Sequence, residues 1–320
     1  PQRRRRGRRF RQAAAPSAVI RPPRLEPGAP IRIVAPSGPV PREPFSSGLA
    51  VLRARYDVRY DENIFAREGY LAGPDERRLA ELSGAFEDPE ARAIVMARGG
   101  YGLLRLLPFL DPGALVRRPR PLIGFSDGTA LLAMAARAGI VSVHGPVVTQ
   151  LGNLSSEDQR ALFERLETPG PATLLSDLEE IIPGRARGPL LGGNLEVFSR
   201  LVGTPYLPDL DGAILFFEDL GERPYRLDRL VTHLDLAGVF GTASAVVLGD
   251  FSGCREPEPT RTESPTADEV LLDRFGRLPI PVVRGAPFGH GTRNRALPYG
   301  ALCELDTRAG MLITLEGAVS

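Results

Sequence analysis

Beyond about residue 30, short runs of apolar and often β-branched residues alternate with stretches in which apolar positions recur at helical spacing. Residues 31–35, 56–60, 93–97, 122–125 and 141–143 read as strands. Residues 47–54, 75–86 and 126–138 read as helices, with Asp75 placed to cap the second. Strands that alternate with helices predict a parallel sheet wound on both faces. Proline and glycine then punctuate a polar stretch at 168–188, which reads as a linker. Past it the pattern predicts helices at 195–201 and 226–237, strands at 213–218 and 245–248, and β-like runs at 281–283, 301–305 and 311–315. The expected layout is an α/β chain with a nucleophile-bearing first domain at 31–167 and a second domain at 189–320.

Residues 1–30 break the pattern, with arginines crowded at 3–6, 8, 9 and 11 and then prolines, a composition that predicts a disordered tail. Arg8-Arg9-Phe10 has the look of a twin-arginine export signal, but no apolar segment follows it, so export is not expected. The 320 residues are 42% hydrophobic and 25% charged, with a net charge of +1, and all 40 cationic side chains are arginine. That balance supplies no strong field for nucleic acid. No apolar run reaches the roughly 18 residues that a membrane helix needs. Two cysteines, Cys254 and Cys303, are too few for a disulfide framework or a zinc site, so they read as buried thiols of a cytoplasmic protein.

Leu122-Ile123-Gly124-Phe125-Ser126-Asp127-Gly128-Thr129 carries the chemistry. An apolar strand enters G-x-S-x-G and continues into an apolar helix, the form of a nucleophile elbow that lifts a serine hydroxyl clear of the backbone. Gly99-Gly100 and the Asp127 amide could stabilise an oxyanion, because amides without a nearby Cβ approach one closely. A serine nucleophile needs a base, and the chain has three histidines. His233 falls within a helix and reads as structural. His144, before Gly145-Pro146, reads as a base, a substrate contact or a histidine bonded to that turn. His290, in the glycine-flanked loop 285–294, is the best base. Glu218, Asp219, Glu222 and Asp228 all compete as the acid that orients it.

These residues stand in a combination that resembles the serine LD-carboxypeptidases of murein recycling, a family that includes the microcin C immunity peptidases. The resemblance spans about residues 31–306 and rests on Ile33-Val34-Ala35-Pro36-Ser37-Gly38-Pro39, Gly69-Tyr70-Leu71-Ala72-Gly73, residues 97–102 and 124–129, and His144-Gly145-Pro146. In the second half it rests on Gly192-Gly193-Asn194-Leu195, Phe217-Glu218-Asp219 and Pro287-Phe288-Gly289-His290. It implies a flavodoxin-like first domain and a smaller β-rich second domain. It also implies Ser126 as nucleophile, Glu218 as acid, His290 as base, and the amides of Gly100 and Asp127 as the oxyanion hole. The implied reaction cleaves the amide between the L-centre of meso-diaminopimelate and a terminal D-alanine in a small murein tetrapeptide. No metal or other cofactor is expected, and a homodimer is. Asn194 or Arg293 could hold the product carboxylate. The alternative activity is microcin-immunity cleavage of an aminoacyl-nucleotide analogue, where such enzymes tend to stack the base on tryptophan, which this chain lacks. Gly128 stands where these enzymes often have a bulkier apolar residue, and the polar loop 255–267, with Pro257, Pro259 and Pro265, departs from their closest pattern.

Overall fold

Strands β1 (Pro30–Val34), β2 (Asp57–Arg59), β3 (Ala93–Met96), β4 (Leu122–Gly124) and β5 (Ser142–His144) lie in the order β2-β1-β3-β4-β5, all parallel, in a computed structural model that describes residues 19–257 and 264–320. This is the flavodoxin-like arrangement, in which ligands sit beyond the carboxyl ends of the strands. β3 is apolar and buried along its whole length, as a central strand covered by helices on both faces must be. Helices Arg42–Arg53, Asp75–Glu87 and Thr129–Arg137 lie among the connections.

The second sheet takes β6 (Ala172–Leu175), β7 (Glu179–Ile182), β8 (Arg185–Asn194), β9 (Ile214–Glu218), β10 (Ala245–Leu248) and β11 (Val282–Arg284). The chain then places β12 (Leu297–Tyr299) antiparallel on β5 of the first sheet, and returns with β13 (Leu302–Asp306) and β14 (Met311–Thr314) to the second. That sheet runs β6-β14-β13-β8-β9-β10-β11-β7, parallel from β8 to β11 and antiparallel outside them.

Several expectations are corrected. Residues 168–188, read as a linker, hold β6, β7 and the start of β8. Pro169, Gly170 and Pro171 precede β6, and Pro183 and Gly184 separate β7 from β8. Residues 1–18 lie outside the described residues, but 19–30 are not disordered: Ile20 bridges Ile140, the Leu25 amide donates to the Leu166 carbonyl at 2.7 Å, and Leu25 is 2% exposed. Asp75 is the first helical residue, not the cap, which is Pro74; its carboxylate instead takes Arg78 and Arg105. Cys254 and Cys303 are free and buried. Among the described residues no helix is long and apolar enough to cross a membrane.

Candidate active site

β4 ends at Gly124, and the chain turns so sharply that Ser126 sits in the left-handed region at φ 61°, one of two non-glycine residues to do so among those described. A side chain there costs on the order of 1–2 kcal/mol, a strain of the kind that gathers at functional sites. A single helical turn, Ser126–Gly128, leads into helix Thr129–Arg137. Gly128 has its own reason: a Cβ there would come within 2.8 Å of the Met96 sulfur, which fills the space a larger residue would take.

The carboxyl end of β3 delivers Gly99-Gly100, whose backbone lies against Ser126 on one side and Gly38, beyond β1, on the other. The Gly38 amide donates to the Gly99 carbonyl at 3.0 Å. The Asp127 side chain, 1% exposed, ties these loops to the elbow by accepting from the Ser37 hydroxyl at 2.6 Å and the Leu103 amide at 2.9 Å on the same oxygen. Burial pushes this carboxyl up to about 6. The sequence points to the Asp127 amide alone; nothing in it marks this side chain or Ser37 as the tie between the loops.

β9 delivers Glu218, fully buried, and Glu218 Oε2 lies 2.6 Å from His290 Nδ1. The His290 ring packs on Phe125, the residue before Ser126, with ring centroids 4.4 Å apart. Burial works against a charged His290, but the hydrogen bond and charge of Glu218, helped by Asp219 and Asp250, outweigh it and raise the imidazole pKa above its ordinary value. The His290 loop is latched to the first half of the chain. Gln150 donates to the Gly289 carbonyl at 3.0 Å and accepts from buried Asn294 at 2.7 Å. Nothing in the sequence separated Gln150 from its neighbours.

The competing acids go elsewhere. Asp219, pushed up to about 7 by burial, accepts from Asn194 Nδ2, the Leu220 amide and the Glu196 amide. Glu222 lies by Arg226, and Asp228 pairs with Arg274. Asn194 is 6% exposed: its Oδ1 caps helix Leu195–Leu201, and its backbone N–H donates to the Thr129 hydroxyl. Arg293 grips Asp158 with two hydrogen bonds and Glu157 with a third, on helix Ser156–Glu167. Both side chains are thus held by carboxylates of the protein itself, Asn194 by Asp219 and Arg293 by Asp158 and Glu157, while Nη1 of half-exposed Arg293 makes none of these bonds. His233 is exposed in the last turn of helix Pro224–Leu236. His144 bonds to no turn: fully buried among Phe125, Phe216 and Phe288, it has no partner for either ring nitrogen, and burial lowers its pKa to about 3.

With a strained serine, a buried glutamate paired to a half-buried histidine, and glycine amides beyond strand carboxyl ends, the arrangement suits acyl transfer through a serine. Comparison with known proteins agrees. A model of the LD-carboxypeptidase N-terminal domain matches residues 31–145, and one of the C-terminal domain matches residues 187–305. The murein tetrapeptide carboxypeptidase of Pseudomonas aeruginosa is 34% identical over 86% of this chain and 92% of its own length. Muramoyltetrapeptide carboxypeptidase from Oxalobacter formigenes superposes with a TM-score of 0.78 at 31% identity, covering 90% of this chain and 99% of that one. The microcin C7 self immunity protein shares the fold, with a TM-score of 0.83 at 23% identity over 94% of this chain and all of that one.

Proposed function

Since this chain belongs to the LD-carboxypeptidase family and is a serine-type hydrolase, we propose that it removes the terminal D-alanine from murein tetrapeptides, leaving tripeptides. The observation that carries the residue roles is the 2.6 Å contact of buried Glu218 with His290, whose ring lies on the residue preceding strained Ser126. In this reading Ser126 Oγ attacks the carbonyl between the L-centre of diaminopimelate and D-alanine, and His290 takes the hydroxyl proton. The amides of Gly100 and Asp127 receive the oxyanion. His290 returns the proton to the leaving amine, D-alanine departs, and water activated by the same imidazole hydrolyses the acyl-enzyme. Glu218 holds the ring and stabilises its charged form.

The setting is cytoplasmic and the working unit a homodimer in this proposal, with a small peptide as partner and neither nucleic acid nor membrane. Two free buried thiols support the compartment, a net charge of +1 supports the lack of a nucleic-acid partner, and the homodimer rests on the family resemblance. Incubating the purified chain with free murein tetrapeptide and measuring D-alanine tests it. Steady release lost in Ser126→Ala is expected; no release by the parent protein overturns the proposal.

A further inference from the structure

A cleft of about 830 Å³ opens beside Gly100, between the loops that follow β1 and β3 and the segment around Tyr70. It lies at the point where neighbouring strands of a doubly wound sheet lead off in opposite directions, the natural ligand position in such folds. Its volume falls in the range of about 300–1,000 Å³ found for small-ligand sites. That is room for several residues, not for an alanine alone.

The chemistry of the lining is one-sided. Arg67 and Arg98 contribute guanidinium groups and no Asp or Glu lines the cleft. Among the described residues, Arg98 is fixed by donating to the Pro39 carbonyl, Arg67 donates only to the nearby Gly69 carbonyl, at 3.3 Å, and neither pairs with a carboxylate. Arg77 and Arg105, close by in sequence, are paired with Glu81 and Asp75. Tyr70 and Tyr101 stand at the opening, 66% and 46% exposed, with ring centroids 5.8 Å apart. Two large rings this exposed, next to arginines without carboxylate partners, form an amphipathic wall for an anionic chain.

We propose that this cleft binds the part of the peptide retained after cleavage, with Arg67 and Arg98 taking its free carboxylates and the two tyrosines covering its backbone. The inference rests on the proposed murein-peptide activity. The retained tripeptide is anionic, since its glutamate and diaminopimelate residues each keep a carboxyl group outside the scissile amide. The departing D-alanine then leaves away from the Tyr70–Tyr101 wall.

Calorimetry on the Ser126→Ala protein tests this directly, using murein tetrapeptide and the same peptide with the two carboxyls of its retained part amidated. Amidation should weaken binding about tenfold. Arg67→Gln should weaken the acidic peptide about as much while leaving the amidated one unchanged, which erases the preference. Tyr70→Ala, by contrast, should weaken both equally. Equal binding of the two peptides, a uniform loss in Arg67→Gln, or no binding of either peptide overturns the assignment. D-alanine release by the parent chain is read separately. Release without a carboxylate preference sinks the cleft assignment alone, and a carboxylate preference without release sinks the activity alone.

Discussion

A methyl group on Gly99 would stand 2.6 Å from the Cβ of Ser126 and 2.8 Å from its hydroxyl oxygen. Both distances are shorter than any van der Waals contact, and the backbone on each side is pinned, so the displaced group must be the serine. Gly99→Ala should therefore lower kcat on murein tetrapeptide at least a hundredfold while costing about 1–3 kcal/mol of stability, the usual cost of overpacking. Kinetics beside a thermal melt checks this; normal turnover would mean the loop moves freely.

Ser126 trades stability for position. Ser126→Ala should lose roughly 10³-fold or more in turnover, as expected of a nucleophile. Ser126→Gly should be equally inactive yet melt higher than Ser126→Ala, because glycine accepts φ 61° without a Cβ penalty. A lower melt for the glycine variant would show that the turn is not strained.

His290 must be neutral to accept a proton, so kcat/KM should rise with pH through an inflection above the ordinary histidine value, since its pKa is raised. Glu218→Gln removes the charge that offsets burial. The inflection should then move to lower pH while turnover falls steeply, because the imidazolium is no longer stabilised. Once His290→Ala is present, Glu218→Gln should cost little more. An unmoved inflection, or losses that multiply in full, would remove Glu218 from this role.

Asp127 accepts two buried donors on one oxygen. Asp127→Asn keeps an oxygen able to accept both, whereas Asp127→Ala strands the Ser37 hydroxyl and the Leu103 amide at about 1–3 kcal/mol each. The alanine variant should lose both melting temperature and kcat, and the asparagine variant should lie between it and the parent. Equal melts for the two variants would show that these bonds hold nothing.

Deleting residues 1–18, crowded with arginine and poor in large apolar side chains, should leave the melt unchanged. Extending the deletion through Leu25 removes a side chain 2% exposed and the Ile20–Ile140 bridge. About 1.5–3 kcal/mol should go with the leucine alone. Thermal melts of the two truncations separate these outcomes.

The alternation of strand and helix periods was legible from the sequence, because buried parallel strands and amphipathic helices write different repeats. Ser126 and His290 were legible as residues whose glycine neighbours only make sense at a tight turn or a close approach. The acid was not. Glu218 and Asp219 are adjacent carboxylates at one strand end, and they are separated only by partners that other segments bring: His290 for the first, Asn194 and Glu196 for the second. The partner of Arg293 was hidden for the same reason, since Asp158 is 135 positions away. His144 misled because the aromatic rings around it come from three separate stretches of chain. Residues 168–188 misled because proline and glycine mark strand ends as readily as joints.

The excursion of β12 onto β5 makes a strand from late in the chain the edge of the first sheet. A fragment ending before the second sheet would keep β5 on β4 but leave its other edge unpaired, an adhesive edge that invites association with other chains. The segment bearing His290 is strung between β11 and β12, so its position is defined only when both sheets exist. A nascent chain therefore stays silent as a hydrolase until it has been synthesised through β12 and that strand has docked on β5, which ties the onset of activity to the joining of the two sheets.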